Sequence, residues 1–155
     1  MVEDLVNAKT AYKSFRYKNR LAWDGARRGK LSAPSKPELN VGSPPEFKGE
    51  AGVWSPEELL VGALNACLML TFVSLAQSKR IEFISYESEA EGLLENVDGR
   101  YQITQVSVQP NVVLKTQADL EAARAIIGDV ERNCFISNSI KAKVEWAPQL
   151  QLAAT

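Results

Sequence analysis

The chain contains no histidine, and this absence excludes more chemistry than any other feature of its composition. Histidine is the commonest general base near neutral pH and the commonest protein ligand of zinc. Catalytic sites of the Ser-His-Asp or Cys-His type are therefore excluded. The two cysteines alone are too few for a tetrahedral zinc or iron–sulfur site. We expect no metal site and no bound cofactor.

A strong charge imbalance is also lacking. The formal net charge is −1, and the lysines and arginines are scattered along the chain. Binding to nucleic acid or to an anionic membrane usually requires a basic patch. The pairs Arg27-Arg28 and Lys79-Arg80 are too short to form one. We therefore expect neither nucleic acid nor a membrane as a partner.

The N-terminal segment lacks the pattern of a signal peptide. Glu3 and Asp4 stand where such a peptide has basic residues followed by an apolar run. We expect a cytoplasmic protein, in which thiols are reduced at rest and a disulfide is catalytic or redox-sensing. A length of 155 residues with 45% hydrophobic residues predicts a single domain, 1–155, with its own core.

One long apolar segment is present, and it suggests two interpretations. The chain carries no charge from Leu59 to Ala76, which approaches the ~17–25 residues of a membrane-spanning helix. Polar and small residues interrupt this run, and the rest of the chain reads as amphipathic strands that need a core to cover. We therefore favour a central helix that is buried on most sides, and a membrane span is the alternative.

The start of this helix is clearly marked. Ser55 is a good N-cap, Pro56 suits the first helical position, and Glu58 completes a Ser-x-x-Glu capping box. The helix should run to about Lys79. The preceding segment, Ser32–Val53, is rich in proline, glycine and serine, so we predict a long loop there.

The remaining pattern predicts strands and one further helix. Residues 1–14 form an N-terminal extension, with a weak helical pattern over Val2–Lys13. Asp24-Gly25 predicts a turn, and Asp98-Gly99 predicts a hairpin. The apolar alternation after this hairpin slips at Thr104-Gln105, which indicates a bulge. Strands are predicted within Phe15–Trp23, Ile84–Ala90, Tyr101–Val108 and Ala142–Trp146, and a helix capped by Asp119 ends just before Cys134. This order predicts an α+β fold with a largely antiparallel sheet.

Three groups of residues stand out together: Trp23–Gly25 with Arg28–Lys30, Ser55–Leu60 with Cys67, and Cys134 with Ser137-Asn138. In this order they resemble the OsmC/Ohr family of hydroperoxide-reducing proteins. The resemblance covers about Phe15 to Trp146. It implies an OsmC-like α+β fold, with sheets packed on a long buried central helix. It also implies an intertwined homodimer with active sites at the subunit interface.

The chain departs from the family pattern at Cys134. The family's second motif is usually Cys-Pro, whereas Phe135 follows this cysteine here. Loss of the proline is expected to loosen the turn that presents the thiol. The long Ser32–Val53 segment also indicates a less typical subgroup.

The resemblance assigns a role to each of four residues. Cys67 is the peroxidatic cysteine, and Cys134 resolves its sulfenic acid by forming a disulfide. Arg28 lowers the pKa of Cys67, although Arg27 also fits this position. Glu57 is the partner of the arginine. Taken alone, a cysteine on an apolar helix is usually a small core residue, and an acid in the first turn complements the helix dipole.

Glu57 and Cys67 are ten residues apart on the predicted helix, or ~15 Å along its axis. They cannot share a compact site within one straight helix. Either a long arginine side chain spans part of this distance, or a second subunit brings its own Glu57 to Cys67.

The resemblance, together with these residues, implies a cofactor-free cysteine peroxidase that acts on organic hydroperoxides. Trp54, Phe47 and Phe135 flank the motifs and are candidates to line an apolar substrate pocket. The reductant is expected to be a dithiol. The resemblance suggests a lipoyl protein, and thioredoxin or a small thiol remains open. The alternative is an OsmC-fold protein that binds a small apolar or electrophilic ligand without turnover.

Overall fold

The structure, a computed structural model, describes residues 12–155. The predicted helix over Val2–Lys13 and most of the 1–14 extension lie outside these residues. The chain divides into two compact units, Met1–Val53 and Trp54–Thr155. The single domain over 1–155 stays a prediction.

The first unit contains a three-stranded antiparallel sheet. Its strands are β1 (Arg20–Trp23), β2 (Arg28–Ser32) and β3 (Leu39–Gly42), in the spatial order β1-β2-β3. The predicted turn at Asp24-Gly25 is confirmed, because Gly25 and Ala26 adopt left-handed φ angles of 85° and 46° between β1 and β2. The strand predicted from Phe15 begins only at Arg20.

The predicted loop over Ser32–Val53 is wrong in part, because it contains β3 and a 3₁₀ turn at Pro45–Phe47. Leu39 lies opposite Leu31 in the sheet, and Val41 lies opposite Gly29. The prolines and glycines of this segment bound the strand at its two ends, so they do not prevent its pairing with β2.

The second unit combines two helices with a second sheet. The helices are α1 (Pro56–Ser78) and α2 (Gln117–Asn133), and the strands are β4 (Phe83–Val97), β5 (Arg100–Leu114), β6 (Lys143–Trp146) and β7 (Gln149–Leu152). Strands β4 and β5 form one long antiparallel hairpin, while β6 and β7 both pair with β5 in parallel. The α+β class is confirmed, and β7 was not predicted.

The hairpin follows its sequence signals closely. Asp98 and Gly99 have φ angles of 52° and 83°, as a two-residue type I′ turn requires. Leu93 lies opposite Gln105 and Leu94 lies opposite Ile103, so Thr104 is the extra residue on β5. The predicted bulge is therefore confirmed.

Capping boxes begin both helices. The backbone N–H of Glu58 donates to Ser55 Oγ at 3.1 Å, and the Ser55 N–H donates to Glu58 Oε2 at 2.8 Å, as predicted. In α2 the N-cap is Thr116 and not Asp119, so that prediction is wrong. Asp119 instead occupies the third helical position and completes the box with Thr116.

The core of the second unit lies between α1, α2 and the sheet. Four α1 residues at intervals of one helical turn are fully buried: Leu64, Leu68, Phe72 and Ala76. They belong to one apolar cluster with the buried valines of β5 and with Ala123, Ile126 and Val130 of α2. The Phe72 ring packs edge-on against Phe83, with 5.5 Å between ring centroids.

Within one chain, α1 is buried along one face only, so the prediction of burial on most sides is wrong. Leu70, on another face, is 60% exposed. Length and a mean hydropathy of 2.1 would allow α1 to cross a membrane, and 22% of that stretch is buried. The side chains that cover the buried stripe are those of a globular core.

Candidate active site

Cys67 lies near the middle of α1, beside the buried stripe and half-exposed. Its side chain lines an open groove of about 610 Å³. The walls come from α1 and from the end of α2: Ala63, Ala66, Leu70, Thr71, Ser74, Leu75, Asn133, Phe135 and Ile136. The thiol is therefore accessible to a small molecule from a mainly apolar surface.

Cys134 is the residue at which α2 ends, and its side chain is fully buried. A tight turn follows, in which the Asn138 N–H donates to the Cys134 carbonyl oxygen at 3.1 Å and Ser139 Oγ donates to the Phe135 carbonyl oxygen at 2.7 Å. The Ser137 N–H donates to Cys134 Sγ at 3.5 Å. These bonds fix the thiol although position 135 is not proline.

The fold brings the two thiols together. Both cysteines are free, and their side chains are hydrogen-bonded to each other. One sulfur comes from the middle of α1 and the other from the end of α2, two elements that pack directly against each other. The side chains are thus adjacent before any oxidation.

The pKa of Cys67 lies below its ordinary value. Burial raises this pKa, but hydrogen bonds outweigh burial: first from the Ile136 backbone, then from Cys134, Thr71 and the Phe135 backbone. The Thr71 hydroxyl also donates to the Cys67 carbonyl oxygen at 2.8 Å, and its single proton can serve only one of the two acceptors at a time. The Cys67 thiol therefore ionises more easily than an ordinary cysteine.

Cys134 behaves in the opposite way. Burial, and then the hydrogen bond to Cys67, raise the pKa of Cys134 to about 11. The Cys67 charge adds to this rise. Of the two thiols, Cys67 is therefore the easier to ionise, and Cys134 stays protonated at neutral pH.

Glu57 lines a different cavity from Cys67. It faces a cleft of about 430 Å³, whose lining includes Trp54, Val61 and Gly92. Its Oε2 atom is buried and has no hydrogen-bond partner in the part of the chain that the structure describes. Buried carboxylate oxygens normally have a donor, so this atom is an exception within the described residues.

Arg28 lies in the first unit, and Cys67 lies in the second. Arg28 Nη1 is 3.2 Å from Glu50 Oε2, and Arg28 Nη2 is 3.7 Å from Asp24 Oδ2. Arg27 Nη1 instead donates to the Phe47 carbonyl oxygen at 3.0 Å. Arg28 thus has two carboxylate partners, and Glu50 was not anticipated from the sequence.

Sequence reasoning named Phe135 as a pocket residue but missed the rest of the groove. Leu70, Thr71 and Ser74 follow Cys67 by three, four and seven residues, the spacing at which helical residues share a face. That spacing was sufficient to find them. The backbone donors at Phe135 and Ile136 have no comparable sequence signal, because every residue except proline carries an N–H.

The fold and the paired thiols define a two-cysteine α+β domain whose more accessible thiol lies on a long core helix. Residues 12–155 contain no cluster of three or more ligand side chains suited to a metal ion. The OsmC-like protein family matches residues 49–148, most of the second unit. The chain therefore belongs to the OsmC-like protein family.

One curated protein is similar to this chain in sequence, and solved structures share its fold. An uncharacterized protein from Bacillus subtilis, YmaD, is 29% identical over 119 residues, which is 75% of this chain and 77% of that protein. An OsmC-like protein of unknown function from Vibrio cholerae superposes with a TM-score of 0.76 at 24% identity, over 88% of this chain and 100% of that one. An organic hydroperoxide resistance protein from Elizabethkingia anophelis superposes with a TM-score of 0.70 at 19% identity, over 91% of this chain and 100% of that one.

Proposed function

We propose that the protein is a cytoplasmic thiol peroxidase that reduces organic hydroperoxides during oxidative stress. One observation carries this proposal: a low-pKa cysteine, open to an apolar groove, is hydrogen-bonded to a second, buried thiol. Solved structures of similar fold include proteins named for organic hydroperoxide resistance, from Elizabethkingia anophelis and from Legionella pneumophila.

The proposed reaction has two steps. The Cys67 thiolate attacks the terminal oxygen of ROOH, so an S–O bond forms and the O–O bond breaks. The sulfur loses two electrons, the peroxide gains them, and the leaving alkoxide takes a proton to become an alcohol. Cys134 then attacks the Cys67 sulfenic acid, which forms the disulfide and releases water. A dithiol reductant restores both thiols by exchange and becomes a disulfide itself.

The groove favours an organic substrate. Two apolar side chains of the groove beside Cys67 are largely open to solvent: Leu70 is 60% exposed and Phe135 is 79% exposed. An alkyl or aryl hydroperoxide would bury this surface, at roughly 25 cal/mol for each Å² of apolar area removed from water. Hydrogen peroxide has no apolar part, so it would gain nothing from the groove.

The direct test is consumption of cumene hydroperoxide by the reduced protein with dihydrolipoamide as the dithiol. We expect sustained turnover, and a larger kcat/KM for cumene hydroperoxide than for hydrogen peroxide. Equal kcat/KM values for the two peroxides would contradict the apolar binding site. Absence of turnover with any dithiol would contradict the peroxidase function.

The same groove supports a second candidate function. A volume of about 610 Å³ is in the range of small-molecule sites, so the protein could bind an apolar or electrophilic ligand without turnover. Under that function, equimolar cumene hydroperoxide would leave both thiols titratable. Loss of both thiols distinguishes the peroxidase.

We also propose that the active unit is a homodimer. The groove side of α1 exposes small and apolar residues in a single chain, while Glu57 keeps a buried oxygen without a donor within its own unit. A twofold-related copy would cover the apolar side and bring groups of one chain to the other. The proposed site then joins Cys67 and Cys134 of one chain with Glu57 of the second.

Mixing two inactive variants tests this shared site. Neither Glu57→Ala nor Cys67→Ser subunits should turn over, but unfolding and refolding them together should restore activity. In a random mixture about half of the dimers are hybrids, and one site in each hybrid combines both intact residues, so we expect roughly a quarter of wild-type activity. Wild-type activity from a monomer in light scattering, or no recovery from the mixture, would contradict the proposal.

Arg28 is proposed to hold the peroxide oxygens and to assist the Cys67 thiolate. Replacing Arg28 with alanine should lower kcat/KM at neutral pH by about 10²-fold, with partial recovery at high pH, where the thiolate forms without help. Arg27→Ala is the matched control and should leave activity near wild type. If Arg27→Ala lowers kcat/KM and Arg28→Ala does not, Arg27 is the residue that holds the peroxide oxygens.

A further inference from the structure

We propose that Cys134 acts before any disulfide forms: its S–H, with the amide N–H groups of Phe135 and Ile136, holds Cys67 as a thiolate. This inference rests on the proposed function only in taking Cys67 as the attacking sulfur. It makes Cys134 both a positioning residue for the first step and the resolving residue for the second.

The geometry around Cys134 carries the inference. The Cys134 side chain is fully buried, so its S–H cannot donate to water. The Ser137 N–H already approaches its sulfur, at 3.5 Å, which occupies the acceptor side of Sγ. The Cys134 S–H is therefore left to act as a hydrogen-bond donor. Its partner is the sulfur of Cys67.

The turn after α2 supplies the other two donors. The chain leaves the helix at Cys134, where ψ is 111°. The backbones of Ile136 and Phe135 both hydrogen-bond to the Cys67 sulfur and lower its pKa, and the Ile136 backbone is shared with Cys134. Consecutive amides that converge on one acceptor form an anion-binding concavity, here for a thiolate.

The residue that departs from the family pattern is part of this turn. A proline at position 135 would have no N–H, whereas Phe135 donates one to Cys67. The change from Cys-Pro to Cys134-Phe135 therefore adds a hydrogen bond to the thiolate. The phenylalanine ring at the same time forms part of the groove wall.

The opposite pKa shifts of the two thiols agree with this division of roles. After burial, the largest influence on Cys134 is its hydrogen bond to Cys67, which raises the Cys134 pKa as it lowers that of Cys67. Oxidation of Cys67 to the sulfenic acid removes the negative charge. Cys134 then ionises more easily and can attack, so the second step follows the first in order.

The test is the rate at which iodoacetamide alkylates Cys67, measured by peptide mass mapping across pH. Cys134→Ala removes the donor, and Cys134→Ser keeps a donor, while neither variant can form the disulfide. We expect Cys134→Ala to slow alkylation at pH 7 by about tenfold and to move its pH midpoint upward, because the thiolate loses a charge-assisted hydrogen bond. Cys134→Ser should stay within about twofold of wild type.

Equal rates in wild type and Cys134→Ala would overturn the inference, as would equal slowing by alanine and serine. A second pair of variants covers the case in which Cys134→Ala does not fold. Phe135→Pro removes the amide N–H and should slow Cys67 alkylation about threefold or more. Phe135→Leu keeps the N–H and should leave the alkylation rate unchanged. Equal rates in that pair would also contradict the inference.

Alkylation needs no peroxide, so its outcome separates this inference from the proposed function. If Cys134→Ala slows alkylation more than Cys134→Ser but the wild type does not turn over hydroperoxides, this inference stands and the proposed function is wrong. If the wild type turns over hydroperoxides but the two variants are alkylated at equal rates, the proposed function stands and this inference is wrong.

Discussion

Replacing Cys67 with serine is expected to lower hydroperoxide consumption to the background rate, a loss of at least about a thousandfold. The serine hydroxyl is not ionised at neutral pH, and it cannot be oxidised to a sulfenic acid. The measurement is the initial rate with cumene hydroperoxide and excess dithiol, for wild type and for Cys67→Ser.

Two controls separate chemistry from folding in this experiment. The thermal unfolding midpoint of Cys67→Ser should stay close to that of wild type, because the side chain is half-exposed and serine is of similar size. Cys134→Ser should still consume about one equivalent of hydroperoxide in a single turnover, since Cys67 remains. Full turnover by Cys67→Ser would assign the nucleophile to another residue.

Replacing Phe72 with alanine is expected to destabilise the protein by about 3–5 kcal/mol. Phe72 is fully buried on α1, and its ring contacts the rings of Phe83 and Tyr86, with 5.5 Å between centroids in both pairs. Truncation leaves a cavity between the helix and the sheet. The measurement is the free energy of unfolding from urea denaturation, compared with wild type under the same conditions.

Phe15→Ala is the matched control for this change. The chemical substitution is the same, but the Phe15 side chain is 73% exposed, so its loss should change stability by less than about 0.5 kcal/mol. Similar losses from both variants would mean that the Phe72 contacts do not hold α1 on the sheet.

The features that sequence predicted correctly depend on local signals. Ser55, Pro56 and Glu58 specify the start of α1 through contacts within one turn. The Asp98-Gly99 hairpin and the Thr104 bulge follow from φ preferences and from the two-residue period of a strand. Such signals require no knowledge of what packs against the element.

The features that sequence reasoning got wrong depend on tertiary neighbours. The apolar composition of α1 predicted burial on most sides, but composition does not say which chain covers each face, and one chain covers only the Leu64–Ala76 stripe. Strand β3 was hidden by flanking prolines and glycines, and β7 was not predicted. Each is a strand because its neighbour, β2 or β5, offers a free edge.

The candidate site was predictable in its residues but not in its electrostatics. The two cysteines were identified because the chain has no other thiols and no histidine. The opposite directions of the two shifts, a lowered pKa for Cys67 and a raised pKa for Cys134, depend on the turn geometry at Phe135 and Ile136. Backbone amides are common to nearly all sequences, so only the fold reveals which of them converge.

A disulfide between Cys67 and Cys134 can be detected directly by peptide mass mapping of the reduced protein after an equimolar dose of cumene hydroperoxide. The account predicts that both thiols are lost together, and that one peptide pair is recovered, with Cys67 linked to Cys134 by a disulfide. Recovery of both cysteines as free thiols, or of Cys67 as a sulfinic acid beside a free Cys134, would contradict it.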